Sequence, residues 1–209
     1  MINRKEGWAF LHPPKTGGSS VESVLTGKPV AAHHTHRAYR DLLDTDAYFF
    51  FATVRNPFAR VVSEYFWSTN VTHEYPEPEY KQFFKGLSFK GFVQTFYRLK
   101  YKDVYQFMDR YFFDQHHQAH CMSQVEFLNP VKHLDLVIKC EDLQSGFNVF
   151  CDAVGRETTN LPCVYETKHK HYSAYYDDEL VDLVSEMFKE DLETFDYSFE
   201  KESNAKLVV

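Results

Sequence analysis

The chain reads as an α/β protein: three layers, with a central, mainly parallel sheet flanked by helices. Three observations predict this. Short apolar runs at residues 8–11, 48–54 and 135–140 each end in a loop and are followed by a stretch of helical character, and strands alternating with helices give a layered fold. Tyr48-Phe-Phe-Phe-Ala-Thr-Val54 is apolar almost throughout, as a strand buried on both faces requires. Within residues 177–195, Leu180, Val184, Met187, Phe188, Leu192 and Phe195 recur at helical spacing, a stripe suited to packing on a core.

The remaining elements follow in chain order. After the run at 8–11 comes His12-Pro-Pro-Lys15-Thr16-Gly17-Gly18-Ser19-Ser20, a loop with one lysine and two glycines, with Ser-Ser opening a helix. This is the composition of a phosphate cradle. Glycines let backbone N–H groups turn inward on an anion, a new helix offers unpaired N–H groups and a positive dipole end, and the lysine adds a full charge. In a Walker A loop the lysine follows the glycines; here Lys15 precedes Gly17 and Gly18, which disfavours an ordinary ATPase or GTPase. The fold expected is therefore P-loop-like without being a Walker P-loop.

Residues 28–47 form a connection with a short helical stretch near Ala38–Leu43, and a helix is expected over 57–67, where Pro57 suits a first turn. Residues 70–82 hold two prolines and several charges and read as an exposed excursion of the kind that shapes acceptor sites. Segments 88–98 and 101–120 are expected to be helical, and the strand Asp135–Cys140 leads into a helix running through Val154.

At 209 residues the chain is long enough for a sizeable core, and a single domain over 1–200 with a tail at 201–209 is the simplest organisation. Aromatic residues make up 17%, with 20 Phe and 14 Tyr, which argues for a packed protein. The net charge of −7 argues against a nucleic-acid partner. No apolar stretch approaches the length that spans a bilayer. The four cysteines, Cys121, Cys140, Cys151 and Cys163, form no Cys-x-x-Cys pair and are expected to be reduced and structural. Asn70-Val71-Thr72 is a glycosylation sequon that matters only in a secreted chain.

The cradle resembles the 5′-phosphosulfate loop of sulfotransferases that use 3′-phosphoadenosine 5′-phosphosulfate (PAPS), in which Pro-Lys-Thr and small or hydroxyl residues follow a strand. A second segment, Arg55-Asn56-Pro57 through Ser63, is similar to that family's 3′-phosphate site, an arginine at a strand end and a serine eight residues later. Glu141-Asp142-Leu143, Leu161-Pro162 with Thr167 to Tyr172, and Asp191 with Phe195-Asp196-Tyr197 resemble later segments. The resemblance is closest to the family-2 carbohydrate sulfotransferases, which include the heparan and chondroitin types. Glu166 departs from the basic or small polar residue that family often has there.

The resemblance implies transfer of a sulfuryl group from PAPS to a hydroxyl, on a carbohydrate acceptor, with no metal required. Lys15 would be catalytic, and Lys15, Thr16, Gly17, Gly18, Ser19, Ser20, Arg55 and Ser63 would bind the donor. A guanidinium suits bidentate phosphate binding on physical grounds alone. A histidine is suited to take the acceptor proton near neutral pH. In heparan sulfate 2-O-sulfotransferases a His-Gly-His-x-x-Tyr segment supplies this base, and His34-Thr35-His36-Arg37-Ala38-Tyr39 fits it, with His36 favoured over His34 and a one-residue slide pointing to His33.

Alternatives are a P-loop kinase of a small molecule and a nucleotide-binding protein without catalysis. His33, His34 and His36 together with His116, His117, His120 and Cys121 could suggest zinc, but no carboxylate or second Cys/His set is spaced around them as a tetrahedral site requires. Asp114-Gln115 is the counterpart assigned to the family's Pro-Gln pair. Tyr65, Trp67, Tyr75 and Tyr80 could stack on sugar rings, although ordinary packing explains them as well. Many animal relatives carry a Golgi anchor, so the expectation is a cytoplasmic, bacterial-type enzyme or the trimmed lumenal part of a Golgi one.

Overall fold

The computed structural model describes residues 1–29, 47–69, 84–101, 119–164 and 169–200. The chain falls into two compact units, one of residues 1–56 and 114–166 and one of residues 57–113 and 167–209. Several expectations lie outside the described residues: the helical stretch near Ala38, the excursion at 70–82, most of the segment 101–120, and His33, His34 and His36.

Among the described residues, the first unit is built on a four-stranded sheet in the order β1 (Ile2–Asn3), β2 (Trp8–Leu11), β3 (Phe49–Val54) and β4 (Leu136–Lys139). β2, β3 and β4 run parallel, with Leu11 opposite Ala52 and Val54 opposite Lys139. The antiparallel β1 was not expected: Ile2 pairs with Ala9, and the turn back closes at Gly7, whose φ of 69° suits a residue without Cβ.

Alternation along the strands sends Trp8, Phe10, Phe51 and Ile138 to one face, where they pack with Val21 of α1 (Gly18–Thr26) and with Phe147, Phe150 and Cys151 of α5 (Leu143–Val154). Phe51 stacks on Phe150 at 3.9 Å and on Phe10 at 4.7 Å. Each such pair contributes about 0.5–1.5 kcal/mol beyond the area it buries. On the opposite face Ala9, Leu11, Phe50, Ala52 and Val54 are buried too, so the sheet is covered on both sides as a mainly parallel sheet must be. The α/β fold with helices flanking a mainly parallel sheet is thus as the sequence predicts.

The second unit is helical over its described residues. α2 (Pro57–Thr69), α3 (Phe89–Tyr101), a 3₁₀ turn (Tyr172–Tyr175), α6 (Asp178–Met187) and α7 (Lys189–Thr194) enclose an aromatic core that includes Phe58, Phe92, Phe96 and Phe188. Tyr176 donates its hydroxyl proton to the Phe58 carbonyl at 2.9 Å, and its burial pushes the phenol well above the usual range. The expected stripe over 177–195 is two helices. The chain breaks at Phe188 (φ −121°, ψ 29°), which places Asp191 in the interior and leaves Leu192 only partly covered.

α5 lies close against β4 because Gly146 has no side chain: a Cβ there would come within 2.3 Å of Ile138 Cγ2. Gly146→Ala forces helix and strand apart and is expected to cost about 1–3 kcal/mol, the usual range for overpacking. The fall in Tm should be roughly 2–10 °C, measured by calorimetry.

Candidate active site

The cradle lies between β2 and α1, and its shape follows from four consecutive residue types. Pro13 and Pro14 stiffen the exit from the strand. Lys15 then adopts φ 68°, a left-handed conformation that costs a residue with a Cβ on the order of 1–3 kcal/mol and persists only where neighbours enforce it. The enforcing contact is Thr16, fully buried, whose hydroxyl reaches back to the Pro13 carbonyl at 2.7 Å and closes the turn around Lys15. The same hydroxyl pairs with Thr53 Oγ1 of β3 at 2.8 Å, tying loop to sheet. The Thr16 hydroxyl thus ties the loop both to itself and to the sheet.

The two glycines are required for different reasons. Gly17 caps α1 at φ 83°, and a Cβ there would lie 2.9 Å from Leu143 and 3.1 Å from the Cys140 sulfur. Gly18 opens the helix, one residue earlier than Ser19-Ser20 suggested, and a Cβ on it would fall 2.2 Å from the His12 ring. α1 has no side-chain cap at Gly17 and no acidic residue in its first turn, so its N-terminus offers dipole and backbone donors without a competing carboxylate. Ser19 is half-buried, and the Ser20 hydroxyl accepts the Val164 N–H at 3.3 Å.

His12 was not singled out from sequence, yet it is buried, stacked on Phe10 at 5.1 Å, and bonded through Nε2 to the buried Glu22 carboxylate at 3.0 Å. The pair fixes the ring against which Gly18 packs. Only the three-dimensional return of α1 along β2 brings residues ten apart together.

Arg55 sits just past the end of β3 and is half-buried. Its guanidinium donates from Nη1 to the Lys15 carbonyl at 3.4 Å, so the structure joins the two basic residues that the sequence singles out. The Arg55 main chain is held by the buried Gln124 in α4 (Gln124–Leu128): Gln124 Oε1 accepts the Arg55 N–H at 2.8 Å and Gln124 Nε2 donates to the Arg55 carbonyl at 2.9 Å. Glu141 accepts the Asn56 N–H at 2.8 Å. This gives the Glu141-Asp142-Leu143 segment a physical task. Gln124 was missed; the Ser123-x-x-Glu126 start of α4, in which the Ser123 hydroxyl accepts the Glu126 N–H at 3.1 Å, was the available signal for its helix.

Ser63 is buried on α2, in the second unit. His120 and Cys121 are buried, whereas His116 and His117 lie outside the described residues. Among the described residues no group of three His, Cys, Asp or Glu side chains is arranged to hold a metal ion, and no helix is long and apolar enough to cross a membrane.

A profile described as the sulfotransferase family matches residues 1–198, nearly the whole chain and of the family-2 type. No curated protein and no solved structure matches.

Cys140 lies beneath Gly17, and burial raises its thiol above the ordinary range against the opposing pull of the Arg55 charge. Burial raises Cys151 in the same direction. Burial thus leaves both thiols less ionised than an ordinary cysteine at the same pH, while Cys163 is exposed. Iodoacetamide at pH 8 is expected to modify Cys163 at least about tenfold faster than Cys140 or Cys151, as read by peptide mass spectrometry.

Proposed function

The chain belongs to the sulfotransferase family, and from that premise we propose that it moves a sulfuryl group from PAPS to a hydroxyl of a carbohydrate acceptor. One observation carries the reading. Lys15, held at φ 68° in a glycine-rich loop, receives the guanidinium of Arg55 on its carbonyl, and the two residues follow neighbouring parallel strands. In open α/β sheets the crevice beyond the carboxyl ends of the strands is where ligands bind.

The residues fit the donor. The 5′-phosphosulfate is assigned to Lys15, the backbone of Thr16 to Ser20 and the start of α1, where the missing side chains of Gly17 and Gly18 keep the backbone close. The 3′-phosphate is assigned to Arg55 and Ser63. The donor supplies a sulfuryl group already activated by its phosphate leaving group, so the protein's task is positioning and charge stabilisation, as in phosphoryl transfer. Lys15 neutralises charge on the oxygen that separates from sulfur. His36, or in its place His34, accepts the proton of the acceptor hydroxyl. Thr16 acts indirectly, by holding Lys15 in its conformation. Nothing in this scheme calls for a metal.

Thermal unfolding tests the donor before any acceptor is known. Adenosine 3′,5′-bisphosphate at about 100 times its Kd should add roughly 2.7 kcal/mol, a rise on the order of 5–10 °C. The rise should depend on the 3′-phosphate and vanish in Arg55→Ala. A rise with ATP and Mg²⁺ but none with the bisphosphate would support the kinase instead. With an acceptor in hand, Lys15→Ala is expected to lower kcat by about 10²–10³. His36→Ala should lower it by about 10²–10⁴ without changing bisphosphate affinity; unchanged turnover would remove His36 from the mechanism.

A further inference from the structure

We propose that Gln124 is a positioning residue for the 3′-phosphate of the nucleotide, acting through Arg55; this rests on the reading that Arg55 holds that phosphate. The main-chain pairing of β3 with β4 ends at Val54 opposite Lys139. Beyond it the chain after β4 turns into a 3₁₀ segment, Cys140–Asp142, and a side chain takes over the work of a strand. The primary amide of Gln124 has an acceptor and a donor in one plane, and both are used on the same residue, at 2.8 Å on the Arg55 N–H and 2.9 Å on the Arg55 carbonyl.

Two such bonds fix the peptide planes on either side of the Arg55 Cα, and so the direction in which its side chain leaves the backbone. Gln124 is fully buried, so water cannot replace either bond. Satisfying two main-chain groups is one effect. The other is specific to this position: the residue clamped is a strand-end arginine whose guanidinium reaches the Lys15 carbonyl, and a planar donor set binds a phosphate bidentately only if its approach angle is set.

The test is the affinity ratio between adenosine 3′,5′-bisphosphate and adenosine 5′-monophosphate, measured by calorimetry. It isolates what the 3′-phosphate contributes. Gln124→Met removes both bonds at nearly constant volume and is expected to lower the ratio by about tenfold, the loss of one well-made polar contact, with little change in affinity for the monophosphate. A purely structural role would weaken both ligands alike or lower Tm alone, leaving the ratio unchanged, and that result overturns the proposal. Should Gln124→Met fail to fold, Gln124→Glu keeps the shape and the acceptor for the Arg55 N–H; it is expected to show a smaller drop, and an unchanged ratio counts against the proposal equally. Arg55→Ala separates the premise from the inference. A ratio unaffected by Arg55→Ala overturns the assignment of the 3′-phosphate to Arg55. A ratio lowered by Arg55→Ala but untouched in the Gln124 variants overturns only the role of Gln124.

Discussion

Parallel pairing of β2 with β3 is the constraint on which the basic edge of the sheet depends. With Leu11 opposite Ala52, both chains leave the sheet in the same direction, and the cradle lysine and the strand-end arginine emerge side by side although they are forty residues apart. Register is enforced from behind. Phe10 and Phe51 stack on each other and Phe51 stacks on Phe150, and a slip of one residue would turn every one of these side chains to the other face. The site inherits its geometry from aromatic packing that touches no ligand.

Within the cradle, flexibility and enforcement are divided between residues. Gly17 supplies a backbone angle, whereas Gly18 supplies room for an imidazole ring. That ring is held by the His12–Glu22 bond, both partners out of solvent. Its contribution is to fix where the ring lies. Lys15 is the reverse case, a residue in an unfavourable conformation maintained by the Thr16 clasp.

What the sequence made legible were the local, patterned features. Apolar runs announced β2, β3 and β4, the loop composition announced the cradle, and Arg55 was visible because it ends a strand. Features that depend on distant partners were not legible. Gln124 meets Arg55 across 69 positions and Glu141 meets Asn56 across 85, and no periodicity encodes such a meeting. β1 was missed because two residues are too short for alternation to register, and the break at Phe188 because the apolar spacing continues through it. The bond between Thr16 and Thr53 was equally hidden, because it forms only once loop and sheet are assembled.

The replacement of a strand by two side chains at the end of β3 has a mechanical consequence. A ladder of main-chain bonds moves as a sheet moves, because each bond shares its peptide with the next. The bonds from Gln124 and Glu141 end on separate side chains, rooted in separate short helical segments. Yet the Arg55 carbonyl and the Asn56 N–H are the two ends of one peptide, so the two side chains grip a single unit from opposite edges, and the position of either helical segment is felt at the same peptide beyond the strand-end arginine.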